Sequence, residues 1–176
     1  MHVDAPLALV AGSYASPDGA VQDFEAVWGA RHDGGFHHTA IAVVARGADG
    51  RLQVGRNNST AKHLEWGGAL LGGALFVIAP AAGAELLATV GLSGAGAIVS
   101  HVRQYADPSA LAATTRVLAS DEAGLIVVLV NYPGEGITPL LAHAAQRSCV
   151  HMVWGDLEEE LAQDFSRPQS QVPVAS

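Results

Sequence analysis

The chain has 176 residues, a formal net charge of -8 and a pI near 5.3, and 49% of its residues are hydrophobic. This length fits one domain with a large core, and nine scattered Lys and Arg residues disfavour nucleic acid as a partner. The only cysteine, Cys149, excludes an intramolecular disulfide and a zinc cluster built from cysteines, and we interpret it as a small buried residue.

The N-terminal half predicts a strand, a helix and a pair of strands. Residues 7–13 form a short apolar run that predicts a buried strand. Ser16 can cap the following helix, with Pro17 at its first position. Residues 38–46 and 51–54 then predict two antiparallel strands that are joined by a tight turn. No positive region precedes the first apolar run, so we expect no secretory signal and a cytoplasmic location or the cytoplasmic face of the inner membrane.

The central segment, residues 66–102, consists mostly of Gly, Ala and aliphatic residues and carries one charge, Glu85. Pro80 is expected to divide it into two helices, which form a hairpin between about residues 63 and 103. Small residues four positions apart allow two helix backbones to approach closely. We therefore predict an assembly surface of the glycine-zipper type, formed by Gly68, Gly72, Gly73, Gly91, Gly94 and Ala95.

The C-terminal half predicts alternating helices and strands. Asp107 caps a helix that has Pro108 at its first position, and the continuously aliphatic residues 124–130 predict a central strand. A modest helix is then predicted over residues 136–146 and a short strand over residues 150–154. An acidic helix over residues 157–165 and a disordered tail over residues 166–176 complete the chain.

Without the central hairpin, the predicted order is β-α-β-β-α-β. This is the ferredoxin-like plan, an α+β fold in which helices cover one face of an antiparallel sheet. We expect a single domain over residues 1–165 with the hairpin as an insertion.

Several segments also resemble a known family over about residues 6–131. They read LALVAGSY, HTAIAVVARGADGRLQV, GGALLGGALFVIAP, AAGAELLATVGLSGAGA and AGLIVVLV. The chain resembles a bacterial domain-of-unknown-function family of predicted membrane proteins. The resemblance implies a ferredoxin-like fold split by a Gly/Ala-rich apolar hairpin and an association with stress. It implies no functional residue.

The hairpin needs a partner, and the sequence leaves the partner open. A helix over residues 64–79 would be about 24 Å long, which is short of the roughly 30 Å hydrocarbon core. Glu85 is a further cost in lipid, although it could reach an interface. The alternatives are therefore entry into one leaflet or spanning of a thinned bilayer, packing against other copies of the chain, and burial as a hairpin within one chain.

Candidate chemistry is sparse. The eight histidines include no pair at the helical spacing of zinc motifs. As a nucleophile and its base, Cys149 and His151 share a strand face but have no evident third group. A polar collar of His63, Glu65, His101 and Arg103 could tie down the hairpin base or act as a pH-sensitive gate. We therefore expect no catalytic residue, metal or cofactor.

The sequence thus favours a non-enzymatic protein that self-assembles, associates with a membrane, or does both. The expected partners are a second copy of the chain and a lipid bilayer. The alternative is a soluble oligomeric module that binds or senses a small molecule. A histidine-centred enzyme is the third hypothesis.

Overall fold

The computed structural model describes residues 4–36, 38–59, 64–90 and 93–166, and for residues 59, 64–67 and 90 it describes the backbone alone. Five antiparallel strands form one sheet, and helices pack on it, so the predicted α+β class is confirmed. The strands are β1 (Pro6–Tyr14), β2 (Thr39–Arg46), β3 (Leu52–Ser59), β4 (Ala123–Val130) and β5 (Gln146–Val153).

In the described residues, six helices accompany the sheet. They are α1 (Pro17–Ala30), α2 (Leu64–Ile78), α3 (Pro80–Val90), α4 (Ala95–Tyr105), α5 (Pro108–Ala119) and α6 (Leu157–Ser166). Asp107 accepts hydrogen bonds from the backbone N–H groups of Ser109 and Ala110, so it caps α5 as the sequence predicts. The helix predicted over residues 136–146 is wrong. Two 3₁₀ turns, Gly134–Gly136 and Thr138–Leu140, stand in its place, because Pro139 and two glycines disfavour a continuous helix.

The strand order is β3-β2-β4-β1-β5. In the ferredoxin-like plan the third strand lies between the first and the second. Here β4 occupies that place, and it pairs with β1 through Val10 and Val127 and with β2 through Ile41 and Val127. The ferredoxin-like order is therefore not confirmed. All eight residues of β4 are buried, as a central strand with covered faces requires.

Both faces of the sheet are covered, which corrects the prediction of helices on one face. One core cluster joins α1 to alternate residues of the strands, including Val10, Ile41 and Leu125. The other joins helices α2 to α6 to the intervening residues, including Leu9 and Ile126. Because successive side chains of a strand point to opposite faces, a fully apolar strand such as β4 serves both cores.

The central segment forms three helices instead of the predicted two. The chain breaks at Pro80, as expected, and again before Ala95, where Gly94 has a φ of 79°. This left-handed conformation suits glycine and interrupts an α-helix. The inserted hairpin is therefore not confirmed as such, and the three helices pack on the sheet.

The described helices are at most 15 residues long, and a membrane span needs about 20. The 15 residues of α2 extend about 22 Å, whereas the hydrocarbon core is about 30 Å thick. None of the helices in the described residues combines the length and apolarity needed to cross a membrane.

The two outer strands receive side chains from the helical layer. On β3, the backbone N–H of Val54 donates to Glu85 Oε2 of α3 at 3.3 Å. On β5, the carbonyl of Val153 accepts from His101 Nε2 of α4 at 2.8 Å. Edge strands expose unpaired backbone groups that invite pairing with another chain, so each contact covers one such group.

Candidate metal centre

The candidate site lies where the edge strand β5 meets the first 3₁₀ turn. Cys149 and His151 are two residues apart on β5 and therefore share a face of the sheet. Glu135 belongs to the turn Gly134–Gly136, which follows the central strand β4. A thiol, an imidazole and a carboxylate thus come from two elements, and one ligand atom from each lies within 4.8 Å of the others.

The distances in this cluster match the edges of a tetrahedral metal site. Cys149 Sγ lies 3.6 Å from His151 Nε2, and His151 Nε2 lies 3.1 Å from Glu135 Oε2. Zinc bonds of about 2.3 Å to sulfur and about 2.0 to 2.2 Å to nitrogen and oxygen give tetrahedral edges of about 3.5 Å and about 3.4 Å. Two of the three separations are therefore close to the edges of a tetrahedral zinc site, and the thiol and the carboxylate lie within 4.8 Å of each other.

The hydrogen bond at His151 must open for a cation to bind there. The backbone N–H of Gly134 donates to His151 Nε2 at 3.1 Å, and this bond uses the single lone pair of that nitrogen. A metal ion at Nε2 therefore replaces the N–H of Gly134. The carboxylate of Glu135 lies 3.1 Å from the same nitrogen and offers only acceptors, so a positive ion between the two side chains would balance its charge.

Gly134 is buried, and because it has no side chain, the thiol of Cys149 occupies the space beside it. A Cβ atom at this position would lie 2.3 Å from Cys149 Sγ and 2.9 Å from Val10 Cγ2. Real Cβ atoms do not approach other atoms so closely. The absence of a side chain at residue 134 is therefore a condition for the cluster.

The thiol of Cys149 is held in its protonated form. Burial and, secondarily, the negative charge of Glu135 raise the pKa of Cys149 to about 11. A protonated thiol is a weak nucleophile, whereas a divalent ion displaces its proton and binds the thiolate. The side chains of Glu135 and His151 are 70% and 37% exposed, so an ion can enter from solvent.

A second polar network lies beside the start of β5. The buried carboxylate of Asp23 on α1 accepts from the hydroxyl of Tyr14 at 2.8 Å and from the backbone N–H of His143 at 3.0 Å. His143 Nδ1 also lies 2.6 Å from Asp23 Oδ1. Burial and then the hydrogen bond to Asp23 raise the pKa of Tyr14. The network ties the segment leading into β5 to α1.

The glycines of the predicted assembly surface make contacts within the chain. A Cβ at Gly72 would lie 2.5 Å from Leu87 of α3, and one at Gly73 would lie 2.7 Å from Ile98 of α4. Gly68 is half-buried on α2, and Ala95 is buried at the start of α4. Gly94 packs against α6, and Gly91 lies outside the described residues. Their use between subunits stays a prediction.

The residues of the predicted polar collar have different surroundings. His101 is buried, and its ring lies 4.6 Å from that of Tyr105, while its Nδ1 is 3.7 Å from Glu160 Oε2. Arg103 is exposed on α4. His63 and the side chain of Glu65 lie outside the described part of the chain, so the collar stays a prediction.

The sequence places two of the three candidate ligands together but does not identify them as ligands. The alternation of Cys149 and His151 puts both on one face, whereas Glu135 is 14 residues before Cys149, just ahead of the segment that is predicted to be helical. The available signal was Pro133-Gly134-Glu135-Gly136, a turn that directs an acidic residue back over the sheet. The expectation of no metal site depends on the helical spacing of zinc motifs and on the single cysteine, and neither pattern detects ligands from a strand and a distant turn.

Comparisons with protein-family models, with curated proteins and with solved structures found no match to this chain. The resemblance to a family of predicted membrane proteins therefore stays an expectation, and the case for function depends on the geometry of the chain itself.

Proposed function

We propose that this protein is a non-enzymatic module that binds a divalent transition metal of the zinc class. The observation that carries the proposal is the convergence of Glu135, Cys149 and His151 within 4.8 Å, with two of the three separations close to tetrahedral edges. The proposal is a specific form of the alternative that the sequence offers, a module that binds or senses a small molecule. Here the bound ligand is a metal ion.

The ligand types select the class of metal. Thiolate and imidazole favour zinc and its neighbours, whereas magnesium and calcium prefer oxygen ligands. One thiolate and one carboxylate also neutralise the charge of a divalent ion. A neutral complex is less costly to hold beside the apolar core than a charged one.

The proposal is tested by zinc titration in competition with a chromophoric chelator, in the presence of a reductant. Replacing Cys149 with Ser or His151 with Ala should weaken zinc binding about 100-fold, since loss of an outer partner alone costs 10- to 100-fold. Cobalt bound to the native chain should show a thiolate charge-transfer band that Cys149→Ser abolishes.

Glu135→Gln should also weaken binding of zinc to a single chain, measured at low protein concentration, whereas Glu159→Gln, an exposed change of the same chemistry on α6, should have no effect. Equal zinc affinity of the native chain and the Cys149→Ser variant would contradict the proposal.

We propose self-association as a second candidate function, as the sequence predicts. The supporting observation is the outer face of α3, where Ala81, Ala84 and Ala88 are exposed next to Phe76, which is 36% exposed. Small residues spaced along a helix allow close packing with a second copy, and a lipid surface is the other partner for such a face.

A charge on this face tests both partners. Ala84→Glu should lower the particle mass of metal-free protein in light scattering and reduce its cosedimentation with anionic vesicles. Ala112→Glu, an equal change at an exposed position of α5, is the control. An Ala84→Glu variant that retains native mass and lipid binding would exclude the face.

A further inference from the structure

The candidate metal centre has three ligands from the described residues, whereas a closed structural zinc site has four. It also lies on an outer strand of the sheet, next to the place where another strand could add. These two facts together indicate where the remaining ligands come from.

The backbone groups of β5 alternate in direction. The backbone N–H of Trp154 donates to the carbonyl of Ala5 on the side that faces β1. In the same register, the even-numbered residues of β5 bond to β1. The N–H and C=O groups of Arg147, Cys149, His151 and Val153 therefore point away from the sheet. We call these groups the β5 edge row.

Only one end of the β5 edge row is covered by the described residues. His101 binds the carbonyl of Val153, and no hydrogen bond from the described part of the chain reaches the backbone of Arg147, Cys149 or His151. Residues 147–151 thus form a stretch centred on Cys149 that can pair with an added strand.

We propose, on the basis of the proposed metal site, that a second copy of this chain adds its own β5 to this stretch and completes the coordination. Antiparallel pairing of residues 147–151 about a twofold axis places Cys149 opposite Cys149 of the second copy. Side chains directly opposite each other have Cβ atoms about 4.5 to 5.5 Å apart. A zinc ion between two thiolates requires sulfur atoms about 3.8 Å apart, which this pairing allows.

The second copy is the favoured occupant because it supplies the ligands that are needed. Each chain brings a Cys149 thiolate and a His151 imidazole that are already 3.6 Å apart. Two copies related by a twofold axis provide two cysteines and two histidines around one ion, a usual set for structural zinc. Glu135, which is largely exposed, then withdraws from the ion.

The experiment measures mass and zinc content together, by light scattering with metal analysis in the presence of a reductant. Zinc should double the particle mass relative to chelator-treated protein and bind at one ion for two chains. The chelator should reverse the doubling, and Cys149→Ser should prevent it.

A matched pair of variants at Arg147 tests the edge. Arg147→Ala loses the guanidinium contacts to the Leu141 carbonyl but keeps the outward N–H, whereas Arg147→Pro also removes that N–H. We expect zinc to dimerise the Arg147→Ala variant. The Arg147→Pro variant should stay a single chain and bind one zinc ion weakly for each chain.

The outcomes separate this inference from the proposed function. Zinc bound at one ion for each chain without a change in mass would overturn the inference and leave the proposed function standing. Equal pairing of the two Arg147 variants would also overturn it, because the edge would not be the interface. Absence of zinc binding would overturn both. A dimer that forms only when the reductant is omitted, and that resists the chelator, would show a disulfide between the two Cys149 residues and would overturn the inference.

Discussion

Gly134→Ala is expected to abolish metal binding and to destabilise the fold. The new Cβ would lie 2.3 Å from Cys149 Sγ and 2.9 Å from Val10 Cγ2, so the thiol and the turn that carries Glu135 must move apart. Because metal ligands tolerate displacements of only about 0.2 Å, two of the three ligands are lost together, and we expect zinc affinity to fall about 1000-fold. Overpacking of the core should cost about 1 to 3 kcal/mol in the free energy of unfolding.

These effects are measured by chelator competition and by urea unfolding of the metal-free protein. Gly29→Ala is the control, since a Cβ at residue 29 meets nothing within 4 Å and lies in α1. It should leave metal affinity unchanged and stabilise the fold by up to about 1 kcal/mol. A Gly134→Ala variant that binds zinc with native affinity would show that the metal site lies elsewhere.

The affinity for zinc is expected to rise steeply with pH. The pKa of Cys149 is about 11, so the thiol is protonated at neutral pH and the ion must displace its proton. Each unit of pH below 11 therefore lowers the apparent affinity about tenfold, and between about pH 7 and 10 we expect a gain of about 1000-fold. Zinc affinity rises with pH because the raised pKa keeps the thiol of Cys149 protonated below pH 11, and zinc binding must release that proton.

Cys149→Asp separates this effect from other causes. A carboxyl group, with an ordinary pKa of about 3.9, is ionised throughout this range and has no proton to release. The variant should bind zinc more weakly at high pH and with little dependence on pH. Titrations in chelator-buffered zinc would measure how the zinc affinity of the native chain and of Cys149→Asp changes with pH. A native affinity that is constant between pH 7 and 10 would exclude a thiolate ligand.

Each outer strand of the sheet has one backbone group covered by a helix side chain, and the uncovered part of β5 bears on function. The contact of Glu85 with Val54 covers a group on β3, and that of His101 with Val153 covers the end of β5. The carboxylate that seemed a cost of membrane insertion thus has a partner within the chain. On β5 the stretch centred on Cys149 is open, and it is the stretch that carries two of the candidate ligands.

Local patterns predicted most of the elements. The aliphatic run of β4, the cap at Asp107 and the break at Pro80 each follow from a few neighbouring residues, and the structure contains all three. The failures also have local causes. Pro139 and its neighbouring glycines replaced a predicted helix with two turns, and Gly94 at a positive φ divided a predicted helix.

By itself, the sequence determined that β5 presents Cys149 and His151 on one face, because side chains alternate along any strand. It also determined that the central segment packs its helices closely, since Gly72 and Gly73 have no side chains. Only the tertiary structure decided that β4 lies between β1 and β2, and hence that the turn after β4 brings Glu135 to β5. The physical reason is that backbone hydrogen bonds are alike in every strand, so the choice of neighbours depends on how all the helices fit the two faces at once.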